Sequence, residues 1–409
     1  MSFLAQYDKA TTESQFPLVR GWMKNSPLEF FTELRETRPI LQTPECTLLA
    51  LHDDVVDALL QPSVFTVQLY EDKMGTHLMA QDDTAVHYRE KAIMQSLLNR
   101  DDLPRIRQFV GETASAALDA APDQEIEAIN GLTRRVPIAL VQEYMGFDGI
   151  PPEDIARWSL FNQWDTFHNQ PFDGNEDPAA IHAQTQAVNQ ELRAYLAELV
   201  PRRINAIKGG DTRDDIVSRL LRMSLPASVG FPMDRLVRNI GGLLIGTIET
   251  TSQAAAQAIQ ELFRRPEALA KARLVANDPG KFDGFAFEAL RFDPIAPYLF
   301  RRAAQDYVVA RTTSRETTIA AGTIVLPLVQ SAMFDPSAHA EPLEFRPERS
   351  LAKTFHFGFG LHECLGRYIG EVMVPEIVRQ VLLRPNARPL SAIEFGETSL
   401  PERYMIAVS

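Results

Sequence analysis

Cysteine is almost absent from this chain: Cys46 and Cys364 are the only two in 409 residues. Two thiols exclude a four-thiolate zinc site, and His362 stands too close to Cys364 for a zinc-finger spacing. A disulfide between the two stays open on the sequence, though a cytosolic setting disfavours it. Positive charge is also short. Lys and Arg number 41 against 54 Asp and Glu, a formal net charge of −13. That balance argues against non-specific nucleic-acid binding and against docking on an anionic membrane. No internal repeat or low-complexity linker interrupts the chain. The leading stretch MSFLAQYDKATTESQ has neither a basic leader nor an apolar run long enough for an anchor. The expectation is a cytoplasmic protein with no membrane anchor and no nucleic-acid partner.

What is present is ordinary globular composition, 45% hydrophobic and 23% charged, in a chain long enough to bury a large core. Much of it reads as helix punctuated by proline and glycine. SPLEFFTELRETRP (26–39) opens with a serine cap and Pro27 and stops before Pro39. The segments 53–62, 103–122, 179–207 and 212–224 repeat that pattern, whereas strand-like runs are confined to 46–51, 306–313 and 322–329. The fold class is therefore mainly α with small β-sheets.

The longest helical pattern covers 233–265, roughly 50 Å at about 1.5 Å per residue. Its middle is apolar on nearly every face, which predicts burial, yet it carries Glu249, Thr250 and Thr251. A buried carboxylate is costly unless paired or hydrated. Glu249 either pairs with a basic side chain from another helix or serves chemistry. The threonines lower helix propensity and invite a distortion of the turn. Further on, EALR places Glu288 and Arg291 at i,i+3 among Phe285, Phe287 and Phe292, a partly buried ion pair. Then comes FGFGLHECLG (357–366), where glycines surround Cys364. If Cys364 binds a metal it does so alone, and a lone axial thiolate points to haem.

These three features, in this order, resemble the cytochrome P-450 family of haem-thiolate enzymes, with FRRAAQD (300–306) and FRPERS (345–350) as further matching pieces. The resemblance covers nearly the whole chain. It implies one haem domain over 1–409, a triangular helical fold around a buried haem, with a β-richer N-terminal portion, a helix-rich remainder and the haem-binding loop at 357–366. It implies haem b as cofactor and Cys364 as its iron ligand, with Phe357 packed against the ring. Gly358, Gly360 and Gly366 give room for the loop and the porphyrin. Thiolate donation favours O–O cleavage. His87, Lys91, Arg301 and His362 match the family's propionate contacts, Lys91 standing where arginine is usual. Glu288, Arg291 and Arg349 match its buried ion network. Glu249 and Thr250 match its catalytic acid–alcohol pair, which delivers protons on the oxygen side, and a distorted helix there opens an oxygen groove.

By the same resemblance the substrate pocket draws on 65–86, 160–185, the long helix, 294–300 and the tail near 396–403. From the first come Phe65, Leu69, Leu78 and Met79; from the second, Phe161, Trp164 and Phe167. Leu244, Ile248, Ile295 and Leu299 complete an apolar set suited to a terpenoid, fatty acid or aromatic. The implied activity is a monooxygenase using dioxygen, with electrons from NAD(P)H through a separate ferredoxin and reductase, in a monomer. Two alternatives are a peroxide-driven or peroxide-rearranging enzyme, against which the Glu249–Thr250 pair speaks, and a non-catalytic haem-thiolate sensor. Departures from the family pattern are Thr247 for a glycine, Ala-Met-Phe-Asp at 332–335, Gly370-Glu371-Val372-Met373 after the cysteine, and a helix-breaking Pro375. Glu363 and Glu371 lie where a ferredoxin docks, with Arg367, Arg379 and Arg384 nearby, so a selective or less acidic ferredoxin is expected.

Overall fold

Side-chain caps and prolines set most helix starts. Ser26 and Pro27 open the Pro27–Thr37 helix, Asp177 accepts the Ala180 N–H to open Pro178–Lys208, and Asp215 accepts the Ser218 N–H to open Ile216–Arg222. The computed structural model describes residues 2–396 and 398–409. The helices expected at 53–62 and 103–122 are His52–Leu59 and Leu103–Asp119. The long one is Met233–Phe263, continuous through Gly246–Ser252. The expected distortion is missing even though two threonines bond back into the preceding turn: Thr247 Oγ1 donates to Leu243 O at 2.6 Å, and Thr250 Oγ1 to Gly246 O at 2.7 Å.

The long helix is buried along most of its length from Asn239 to Leu262. It packs against the helices Pro152–His168, Pro279–Phe292 and Arg367–Leu382. Each large apolar side chain sealed there contributes about 1.5–3 kcal/mol. This helical layer and two smaller apolar clusters under the sheets make the core.

The five-stranded sheet runs Ile40–Gln42, Thr47–Leu49, Ile324–Pro327, Arg301–Ala303, Phe65–Thr66. It thus joins the start of the chain to its last third and fixes Arg301 in an interior strand. Met405–Ala407 pairs with both Glu125–Glu127 and Arg388–Pro389, and Tyr307–Val309 pairs with Thr317–Ile319. More of the strands lie after residue 300 than before residue 130. The expectation of a β-richer N-terminal portion is corrected accordingly: the early strands find most of their partners in the late ones.

Arg291 is fully buried and bidentate to Glu288, with Nη2–Oε1 at 2.7 Å and Nε–Oε2 at 2.9 Å. It also donates to the carbonyls of Met333, Pro342 and Glu344, while Arg349 Nε reaches Glu288 at 3.2 Å. One helix thereby holds the irregular segment that leads to the cysteine loop. A side chain at Gly284 would clash with the Pro347 carbonyl, so the two run in direct contact. At 332–335, Phe334 stacks its face under Arg291 and its edge on Phe292, and Asp335 caps the His52 N–H. Apolar packing there replaces a polar brace.

Glu288→Ala strands Arg291 in the core and is expected to cost about 3–5 kcal/mol, measured as a lowered chemical-denaturation midpoint of the holoprotein. A second expectation concerns pH. Burial, helped by Arg291, His52, Arg349 and Lys353, holds His339 down to about 4 against 6.5. Its neutral form is the folded form, so the stability it contributes is complete above pH 6.5 and is lost as pH falls toward 4. Unfolding midpoints between pH 7 and 5 should fall more steeply for the parent than for His339→Gln.

Candidate active site

The cysteine loop is shaped by backbone that only glycine adopts easily. Gly358 and Gly360 have φ of 73° and 69°, and a Cβ at Gly360 would lie 2.9 Å from the Leu59 carbonyl. The Cys364 N–H closes the loop on Phe357 O at 2.7 Å. Gly366 differs: its φ is −89°, and the nearest protein atom to a Cβ there is Cys364 Sγ at 4.0 Å. Its smallness keeps space beside the sulfur rather than permitting a turn. Burial pushes the Cys364 thiol up, against the pull of the Gly366 N–H and Lys91. Metal coordination would deprotonate it outright.

Sulfur and loop face a cavity of about 350 Å³. Phe357, Gly358, Cys364 and Gly366 line one part of it, and the long helix presents Leu243, Gly246, Thr247, Thr250 and Ala254 to another. Basic groups gather at its edge. Arg301 is buried, donates to Phe300 O at 2.8 Å and hydrogen-bonds Tyr70. His87 Nδ1 meets Leu78 O at 2.8 Å while its Nε2, like both ring nitrogens of His362, has no hydrogen-bond partner among the described residues. The two imidazoles stand edge to face at 5.0 Å. Burial, with Arg301, His87 and Lys91 close by, drives His362 down to about 2. Among the described residues no carboxylate hydrogen-bonds or ion-pairs with any of these four. A thiol, an adjoining cavity and unanswered buried donors fit a haem with its two anionic propionates. Lys91 is the exception. Its ammonium donates to Leu361 O at 2.5 Å and Glu363 O at 2.8 Å, so it clamps the loop backbone instead of standing free.

Glu249 and Thr250 do not act from one place. Successive helical residues are turned by about 100°, and Glu249 points away from the cavity into a bidentate pair with Arg134, Oε1–Nε 2.8 Å and Oε2–Nη2 2.9 Å. Burial raises its carboxyl more than Arg134 lowers it. Thr250 alone lines the cavity. Of the expected pocket side chains, Met79, Phe167, Ile295 and Leu299 lie on the cavity wall. The others do not. Phe65 stacks on Tyr307 in the sheet, and Leu69 packs in the apolar cluster under it. Leu78, Leu244 and Ile248 are sealed in the main core, and Phe161 packs on Trp164. Part of the tail at 396–403 falls outside the described residues.

The wall also carries Tyr70, His77, Gln163 and Asn239, which the sequence reading missed. For Asn239 the signal was available: it heads the small and polar stripe Asn239, Gly242, Gly246, Thr250 along one helix face. Beside the sulfur, Glu363 in the loop and Glu371 on the helix, four residues to either side, both engage Arg367. Arg379 is held by Glu376 and Arg384 by Asp119. The Arg367–Leu382 helix continues through Pro375.

Fold, thiol loop and unanswered basic cluster together define a haem-thiolate protein. The family model "Cytochrome P450" matches residues 284–391, the span from the Glu288 helix through the cysteine loop. The chain is 26% identical over 313 residues to the cytochrome P450 monooxygenase PikC of Streptomyces venezuelae, covering 75% of this chain and 68% of that protein. It is 24% identical to the vitamin D(3) 25-hydroxylase of Pseudonocardia autotrophica, over 88% and 87% of the two. The solved structure of CYP109E1 from Bacillus megaterium with testosterone superposes with a TM-score of 0.78 at 18% identity, covering 98% of this chain and all of that one. The chain belongs to the cytochrome P450 family. It is a monooxygenase of that family, which takes a haem cofactor.

One departure from the family pattern has a steric reason. A Cβ at Gly370 would lie 2.7 Å from Phe357 Cε1, so the glycine makes room for the ring beside the sulfur. Gly370→Ala is expected to overpack the site by about 1–3 kcal/mol. A lowered melting temperature of the haem-loaded protein, together with a shifted Soret band, checks it.

Proposed function

We propose that residues 1–409 act as one haem b domain that oxidises an apolar small molecule, a terpenoid, fatty acid or aromatic, with dioxygen. Electrons come from NAD(P)H through a separate ferredoxin and reductase, and the enzyme works as a cytoplasmic monomer. The observation that carries this reading is the thiol of Cys364 beside buried donors that lack any anion. Bound haem supplies dioxygen activation and oxygen-atom transfer. Cys364 holds its iron, while Arg301, His362 and His87 hold its propionates. Thr250 uses its hydroxyl proton on Gly246 O, which leaves its oxygen lone pairs to accept from water on the cavity side and so to hold a proton donor there. Glu249 contributes from the other side of the helix, through Arg134. Among relatives, the vitamin D(3) 25-hydroxylase and a steroid C26-monooxygenase of Mycobacterium tuberculosis support an apolar substrate by their names.

The peroxide-driven reading draws on one observation. With Glu249 committed to Arg134, the acid–alcohol pair no longer speaks against it. The sensor reading gains nothing comparable.

Carbon monoxide added to the reduced protein should give a thiolate-type Soret band, and Cys364→His a histidine-type one. A histidine-type band in the parent overturns the reading. With ferredoxin, reductase and NADPH, Thr250→Val should lower product formed per NADPH consumed by roughly tenfold or more. Turnover that needs only hydrogen peroxide and is indifferent to Thr250→Val would establish the second reading instead.

A further inference from the structure

The cavity beside Cys364 is mostly apolar, but Gln163 and His77 interrupt its wall. Gln163 lies one helical turn before Phe167 on the Pro152–His168 helix, and both side chains reach the cavity. It is 6% exposed, and no described residue hydrogen-bonds either end of its amide. Its neighbours are not left this way. Asn162 is bonded to Trp158 O and Asn189, Asn169 to Asp165 and Pro178 O, and Gln170 to Thr166 O. A buried amide kept without a protein partner is unfavourable to folding, so it is retained for something outside the chain.

His77 is 7% exposed, and its Nδ1 accepts the Met79 N–H at 3.2 Å. That bond fixes the tautomer with the proton on Nε2. The Nε2 edge rests over Gly242, where any side chain would collide with it. Glycine is unfavourable in a helix interior, and what it gains here is the seat of this ring. Two of the polar groups around it are engaged. Asn239 accepts the Leu78 N–H and donates to Glu90 at 2.8 Å, and Glu90 is bidentate to Arg235 at 2.6 and 2.7 Å. They hold the wall, whereas among the described residues nothing hydrogen-bonds the Gln163 amide or His77 Nε2. Burial, with Arg238 and Arg235 nearby, pushes His77 down to about 4, which keeps it a neutral donor at physiological pH.

We propose that Gln163 and His77 form a polar anchor that sets substrate specificity, recognising an apolar skeleton that carries a neutral group able both to donate and to accept, above all a hydroxyl. The imidazole Nε2–H donates to that oxygen, and the Gln163 carbonyl accepts its proton. A plain hydrocarbon leaves both wall groups unpaired. The proposal rests on the haem-thiolate reading above and narrows its substrate class.

The test titrates the haem-loaded protein with matched probes, bornane against borneol and decalin against 2-decalol, followed by spin state and in parallel by calorimetry. In at least one pair the hydroxylated member should bind about tenfold tighter. Gln163→Leu, close in size, should erase that preference while the hydrocarbon's Kd stays within about twofold. Gly242→Ala, which displaces His77, should reduce the same preference. The anchor is overturned if no pair favours the hydroxylated member, or if both variants keep the parent ratio. The carbon monoxide spectrum separates the two levels: a thiolate-type band with no hydroxyl preference rejects the anchor alone, whereas a histidine-type band in the parent rejects the haem-thiolate reading. Calorimetry still reads the anchor in that second case, because it does not depend on the iron.

Discussion

Buried positive charge without a protein counter-ion is the constraint around which this structure is arranged. That charge is carried by Arg301, in an interior strand of the sheet, whereas half-buried Lys91 clamps the loop backbone and His362, which burial keeps neutral, stands edge to face with His87. In a low-dielectric interior an unpaired charge costs several kcal/mol. The chain meets this cost at a single place, the edge of the cavity that Cys364 enters. Among the described residues the other buried arginines are paired, Arg291 with Glu288, Arg134 with Glu249 and Arg203 with Asp215, and buried Glu90 is paired with Arg235. The contrast gives the cluster its meaning. An anionic cofactor bound at this edge would supply the missing counter-charge.

The Met233–Phe263 helix does two jobs by turning two faces in different directions. Leu244, Ile248 and Ser252 follow one another at four-residue intervals on the core side, where Ser252 bonds Thr133 at 2.9 Å. Leu243, Gly246, Thr247, Thr250 and Ala254 form the cavity side. Glu249 belongs to neither row and is anchored by Arg134 from the Arg135–Leu140 side of the molecule. Neighbours in sequence are therefore separated in function. An acid and an alcohol read together as GTIETT divide into a brace and a cavity group.

That division marks what was legible beforehand. Local chemistry was: a glycine-flanked cysteine, a Glu-x-x-Arg pair among phenylalanines and a run of capped helices each required little more than their own neighbours. Phase around a helix was not, where the sequence offered only apolar residues of similar kind. Leu244 and Leu243 are chemically alike, and only the small polar stripe through Gly246 and Thr250 says which faces the cavity. Phe161 and Phe167 differ in the same way, because one packs on Trp164 and the other follows Gln163 into the wall. Glu90 and Asn239 were invisible as a unit, since their contact spans 149 positions. Strand pairing was equally remote, with Thr47 set beside Val325 by a parallel register.

The acidic residues beyond the cysteine change character once their partner is known. Read in sequence, Glu363 and Glu371 add negative charge to the surface next to the sulfur. In the fold both carboxylates close on one guanidinium, Arg367, at i−4 and i+4. Half-exposed pairs of this kind contribute only a few tenths of a kcal/mol each and are screened by salt, so stability is a poor reason for the ladder. Its larger effect is on the field. Arg367 stands at the first turn of a helix whose N-terminal end already carries partial positive charge, three residues from Cys364. Two carboxylates around it offset that charge locally and leave the surface close to neutral over a few ångströms, with alternating rather than uniform sign. A molecule docking there would be selected by register against alternating charges rather than by attraction to a basic patch.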